Sequence, residues 1–263
     1  MDVDILQRHF ARMGARVVVE PGPVSWHLGL DVRRDARGEY FEIRAGQEID
    51  VAVTDLRPRE RHALVLARNV RTGVKDKFLC GHDERAWFVA AVPNDPGVAS
   101  VPAAMEALKP REVREVQERL GVAPRERARR RNAAYLRQGE WFFIPAPHRV
   151  FEPALIHRHE ILSRGTGSKP HVAEEAVRTA GEVVYVSRLA PRGLTQEQYK
   201  ALLDRDPKAR KVSWRTARRD ADVYVRGRIR HPDHATIVLP YWHLVRMNTE
   251  HRSRAMAHVV FVD

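Results

Sequence analysis

Apolar residues recur at Val3, Leu6, Phe10 and Met13, the spacing of one helix face, and Gly14 ends the run. This predicts a short amphipathic helix over residues 2–13. From there to residue 92 the pattern changes to short runs at 16–20, 26–32, 40–44 and 49–53, punctuated by Pro21-Gly22-Pro23 and Gly38. Residues 62–92 read as a meander: HALVLARNV, a turn at Thr72-Gly73, KDKFLCG, a polar turn at His82-Asp83-Glu84, then RAWFVAAV. Residues 15–92 are therefore expected to be mainly antiparallel β.

The stretch PNDPGVASVP at 93–102 is rich in turn formers and divides this region from a helical one. Pro110 suits a first helical residue and Gly121 a C-terminal cap, with Val113, Val116 and Leu120 on one stripe between them. A second, basic helix is expected over 125–137, ending at Gly139, followed by the buried strand WFFIP. The last third alternates: a helix at 172–179, the strand EVVYVSR, a helix from Thr195 with Gln198 in capping-box position, then strands VYVRGRI, ATIVLP and AHVVFVD. The expected class is α+β. An antiparallel β-rich domain at 1–98 precedes a basic helical segment and a mixed α/β region at 99–263.

Composition narrows the setting. The chain has 263 residues, 43% of them hydrophobic, enough to bury a core, and no apolar run approaches the ~18 residues of a membrane span. The first residues, MDVDILQRHFARMG, carry acids where a signal peptide carries bases, and Cys80 is the only cysteine. A soluble, cytoplasmic protein without disulfides is expected, with no membrane partner. Charge changes the picture more: 46 Lys plus Arg face 34 Asp plus Glu, a net +12, and only seven of the cations are lysine. Guanidinium groups hold phosphate oxygens bidentately and stack on bases, so nucleic acid, DNA or RNA, is the first expected partner. An acidic protein surface is the rival.

Two clusters carry the excess. In the expected helix at 125–137, Arg127, Arg129, Arg130 and Arg131 form a cationic strip with Tyr135 one turn on. In the second, Arg226, Arg228 and Arg230 share a strand face with Tyr224, and Trp214 lies among basic neighbours. Lys169 closes a Gly-rich basic loop, RGTGSK, able to offer backbone amides to phosphate, although the Walker spacing is absent.

The thirteen histidines supply the candidate chemistry. His231-Pro232-Asp233-His234 suits a turn between two strands, placing two imidazoles near Arg228; imidazoles that move protons beside an arginine that holds phosphate would serve a metal-independent phosphodiesterase or nuclease. If 172–179 is helical, His171 and Glu175 share a face four residues apart and could ligate a divalent metal. The run His157, His159, Glu160 is a further possible ligand group. No motif specifies a cofactor, and Cys80 beside His82 lacks an orienting partner for nucleophilic catalysis.

Overall fold

The computed structural model describes residues 1–22, 28–163 and 169–253. The expected strand AHVVFVD, most of the RGTGSK loop and Trp26 lie outside these residues. The fold is α+β and mostly antiparallel.

Helix α1 (Val3–Arg12) begins where the Asp2 carboxylate accepts from the Ile5 N–H, and it buries Leu6 and Phe10 as its spacing predicts. Strands β1 (Val17–Pro21), β2 (Gly29–Asp35) and β3 (Gly38–Ala45) form a sheet in the order β1-β3-β2. Within it β1 runs parallel to β3, a departure from the expected antiparallel region. The meander follows: β4 (Ile49–Arg57), β5 (His62–Asn69), β6 (Lys75–Asp83) and β7 (Ala86–Val92), paired in sequence order. Phe10, Phe41, Ile43, Phe78 and Cys80 join both sheets and α1 in one core. The Phe41 ring sits 5.0 Å from Phe10 and 5.4 Å from Trp87. Burial pushes the Cys80 thiol up, leaving it protonated and inert.

The Pro/Gly stretch at 93–102 connects β7 to α2 (Val101–Ala107), which packs back onto the meander: Val98, Val101 and Ala104 are buried with Leu64, Leu79 and Val92. The next cluster begins at Val113 in α3 (Arg111–Arg119) and includes Tyr135, Phe142 and Ile144. The apolar contacts thus change hands near Lys109, whose buried ammonium bonds Glu106 and Gln117.

Residues 125–137 do not form the expected helix. The helical stretch α4 (Pro124–Arg127) closes after one turn, because the Asn132 side-chain oxygen accepts from the Ala134 and Tyr135 N–H groups and folds the chain back. The Tyr135 hydroxyl then donates to the carbonyls of Arg127 and Arg129.

A six-stranded antiparallel sheet fills the remainder, in the order β10 (His157–Leu162), β11 (His171–Thr179), β15 (Asp222–Arg230), β16 (Ile237–Met247), β9 (Trp141–Pro145), β8 (Leu136–Gln138). The expected helix at 172–179 is strand β11. Ala173 and Ala176 enter the sheet core with Val225 and Ile229, and the backbone pairs on both sides with β10 and β15, so tertiary pairing overrides local propensity. From the far end of the β11–β15 hairpin, where Thr179 pairs with Asp222, the chain makes an excursion. It contains β12 (Glu182–Ser187), β13 (Ala190–Leu194), α5 (Gln196–Arg205) and β14 (Arg215–Arg219). Thr195 and Gln198 form the expected capping box of α5.

The meander packs closely at Gly81, where an added Cβ would lie 2.5 Å from His62 Cδ2 and 2.7 Å from Phe88 Cε1. Gly81→Ala is expected to cost about 1–3 kcal/mol of unfolding free energy, read from a urea midpoint; an unchanged midpoint would contradict this packing. Burial also holds the His62 imidazole below its usual range, despite a bond to the Glu60 carbonyl. The unfolded chain therefore takes up this proton first. Stability is full above the ordinary histidine range and declines as pH falls through and below it. In His62→Gln that part of the decline should vanish, and identical midpoint-versus-pH curves for both proteins would exclude the effect.

Candidate functional site

The end of the β11–β15 hairpin opposite the excursion gathers the histidines. His171 is the first residue of β11, His231 and His234 lie in the turn that joins β15 to β16, and Gly139 turns β8 into β9 beside them. The rings of His171 and His231 stack at 4.2 Å, those of His231 and His234 at 4.6 Å, and those of His171 and His234 at 5.8 Å. One nitrogen from each ring lies within 4.8 Å of the others. Trp141 closes the apolar side, its ring 6.3 Å from His171.

The outer nitrogens have protein partners. His231 Nε2 is 3.2 Å from the Lys169 carbonyl, and His231 Nδ1 accepts from the Asp233 N–H at 3.1 Å, so the Nε2 site carries the proton. His234 Nδ1 stands 3.6 Å from Glu84 Oε2, within ion-pair range but outside hydrogen-bond range. Among the described residues neither nitrogen of His171 has a hydrogen-bond partner, although the residue is 1% exposed. Burial, aided by the neighbouring His231 and His234, pushes its pKa down to about 3, so this imidazole is neutral with a free lone pair. Burial likewise lowers His231.

Glu84 comes from the β6–β7 turn of the other sheet. Its φ of 45° is the left-handed conformation that side chains rarely adopt. Its carboxylate accepts from the Ala235 N–H at 3.0 Å and from Arg130, and Asp83 beside it holds Arg130 at 3.1 Å and Arg137 at 3.3 Å. Burial works to raise the Glu84 carboxyl, but the Ala235 N–H and the Arg130 charge outweigh it and hold it below its usual range. Glu84 and Gly139, which the sequence presents only as a turn residue and a helix end, are parts of this site. The available signal was the polar hairpin HDER, short enough to hold a non-glycine residue at positive φ.

The structure unites His231 and His234 with His171 but not with Arg228 or Glu175. Arg228 bonds Glu174 at 3.1 Å and lines a shallow pocket with His159, Val172 and Arg230. Glu175 pairs with Arg226 at 2.5 Å and Arg158 at 3.7 Å; in a strand, four residues carry it about 13 Å from His171 rather than one helical turn. The helical pairing expected of His171 and Glu175 therefore does not form.

The arginine strip is dispersed for the same reason. Arg127 donates to the Val122 carbonyl, Arg129 stands 3.6 Å from Glu126, Arg130 belongs to Asp83 and Glu84, and Arg131 is exposed. Tyr135, buried at 2% exposure, offers no ring face to solvent. On β15, Tyr224 is buried against Phe151 and Trp242, Arg226 lies 4.6 Å over the Trp242 ring, and Arg230 is exposed without an ion pair among the described residues. Lys169 pairs with Asp233 at 2.9 Å.

The excursion is different. Residues 182–219 hold ten Lys and Arg against four Asp and Glu. Among the described residues only Arg210 and Arg219 of these ten form ion pairs, with Asp204 and Glu182. Tyr185 stacks on Tyr199 at 4.2 Å and 9°, and half-buried Trp214 meets Tyr199 edge-on at 4.9 Å. The nine residues of β11 separate this surface from the histidines by about 26 Å at the usual strand rise.

Comparison of the chain with protein-family models, with curated proteins and with solved structures finds no match. No helix of the described residues is long and apolar enough to cross a membrane.

Glu84→Ala leaves the Ala235 N–H without its acceptor and Arg130 with Asp83 alone, and an expected cost of about 1–3 kcal/mol follows. Combined with Arg130→Met in a double-mutant cycle, the two changes should couple by about 0.5 kcal/mol or more. Strict additivity in urea unfolding would show that the Glu84–Arg130 contact is not among the ties between this turn and the second half of the chain.

Proposed function

We propose that the protein binds nucleic acid through its phosphates, with the excursion between β11 and β15 as the principal contact surface. The observation that carries this reading is the set of exposed cations Arg188, Arg192, Lys200, Lys208, Lys211 and Arg215, which have no ion pair among the described residues. Elsewhere Arg130, Arg226 and Arg228, prominent in the sequence, are already matched by carboxylates. A guanidinium fixed by a neighbouring acid has its fork occupied, whereas an exposed one adds little to folding and is free to take phosphate oxygens. The half-buried Tyr185, Tyr199 and Trp214 stand among these cations and supply ring edges next to them. The contact set therefore moves from the 125–137 strip toward the excursion, with Trp214, Arg131 and Arg230 retained from the sequence reading as exposed or half-exposed groups.

Filter binding of a mixed-sequence oligonucleotide at about 50 and 200 mM salt should show affinity falling steeply with salt. Replacing Arg188, Arg192 and Arg215 together by Gln should reduce the slope of log affinity against log salt by about 3 units on duplex DNA, one for each lost phosphate contact. Arg226→Gln should leave the slope unchanged because Glu175 already occupies that guanidinium. Equal slopes for the triple variant and the parent would remove the excursion from the interface. Binding of polyglutamate in preference to the oligonucleotide would assign the surface to an acidic protein instead.

A further inference from the structure

We propose that His171, His231 and His234 form a binding site for one divalent transition-metal ion, held by three imidazole nitrogens and open at a further coordination position. This rests on the hairpin end remote from the excursion and is independent of the nucleic-acid reading.

Three observations point to a ligand here. First, both nitrogens of His171 lack a hydrogen-bond partner among the described residues, as do Nε1 of the neighbouring Trp141 and Oε1 of Gln138. Leaving the lone pair of an imidazole that is 99% covered without a partner is costly, and a metal ion facing His171 would take it up. Second, the outer contacts are those of a metal-ligand shell. His231 turns Nε2 to a backbone carbonyl and His234 turns Nδ1 toward the Glu84 carboxylate, the two kinds of group that orient metal-bound imidazoles. That leaves His231 Nδ1, His234 Nε2 and one nitrogen of His171 as the inward set. Third, the space is kept clear. A Cβ on Gly139 would lie 3.0 Å from His234 Nε2 and 3.7 Å from His171 Cε1, at a residue whose φ of +57° itself favours glycine.

The geometry needs modest closure. Tetrahedral coordination at about 2.0–2.1 Å places ligand nitrogens about 3.4 Å apart. The present limit is 4.8 Å. His171 is fixed in β11 under Trp141, so the adjustment falls to His231 and His234, which sit in a turn and need only side-chain rotation, with His231 Nδ1 giving up its single bond from Asp233. Three nitrogens without a carboxylate ligand select zinc, cobalt, nickel or copper over magnesium and calcium, which prefer oxygen. Three protein ligands leave a coordination position for solvent or another small ligand, the arrangement of open rather than purely structural zinc sites.

The test is cobalt and zinc titration of the full chain, free of any affinity tag and stripped with a chelator. One equivalent of Co²⁺ should bind with the visible bands of a low-symmetry, tetrahedral-type site, Zn²⁺ should displace it, and excess Mg²⁺ should not. His171→Ala and His234→Ala should each weaken cobalt binding by about 100-fold or more, and Gly139→Ala, which leaves every ligand in place, by about 10-fold. His159→Ala, in the exposed part of β10, should bind as the parent does. His171 is buried, so if His171→Ala does not fold, His234→Ala and Gly139→Ala in the two turns decide the matter, each checked by circular dichroism. Absence of stoichiometric Co²⁺ binding by the parent, or equal binding by folded His234→Ala, overturns the proposal.

Discussion

The β6–β7 turn is the constraint on which the histidine end of this molecule depends. Its two carboxylates, Asp83 and Glu84, are 10% and 19% exposed and together meet Arg130, Arg137 and the Ala235 N–H. These partners come from the 128–138 stretch and from the turn between β15 and β16. One hairpin of the first half thus fixes two separate segments of the second. Charged groups with so little water must be matched, and this is why Glu84 is held at φ 45° rather than replaced by a residue with freer conformation. A second tie, the Glu250 carboxylate accepting from the Ala91 N–H, joins the same two parts farther along β7.

That tie has a consequence for the arginines. A net charge of +12 suggests a uniformly cationic molecule, yet the folded chain distributes the cations unevenly. Glu174, Glu175, Asp83 and Glu84 neutralise Arg130, Arg137, Arg226 and Arg228 on and around the six-stranded sheet. The excursion lacks an equal supply of acids, so most of its cations remain exposed. Its neck is tight: Gly181 approaches the Arg219 carbonyl so closely that an added Cβ would lie 2.6 Å away, and Arg218 bonds the Ala180 carbonyl. The basic surface therefore projects from a defined point of the sheet.

The two ends of the β11–β15 hairpin consequently have opposite characters. One end is exposed, cationic and aromatic. The other centres on the buried His171 imidazole beneath Trp141, and its cations, Lys169 and Arg130, are already paired. The strand between them is long enough that one small phosphate group cannot touch both.

The sequence by itself determined the elements whose signals are local. The α1 spacing, the capping box at Thr195 and Gln198, the meander turns and the alternation of β15 depend on neighbours within a few residues, and they appear where those patterns put them. Tertiary structure alone decided the rest. Residues 172–179 carry alanines and glutamates that suit a helix, but β10 and β15 offer two unsatisfied edges and a core for Ala173 and Ala176, so a strand forms. His231 and His234 were legible as a pair because they share a turn, whereas their third member lies 60 residues away and is brought in only by the register that pairs Val172 with Arg230. The partners of Arg130, Arg226 and Arg228 are likewise 46 to 54 residues distant in the chain. Local spacing records which faces a segment can present, and only the pairing of distant strands decides which charge or imidazole meets another.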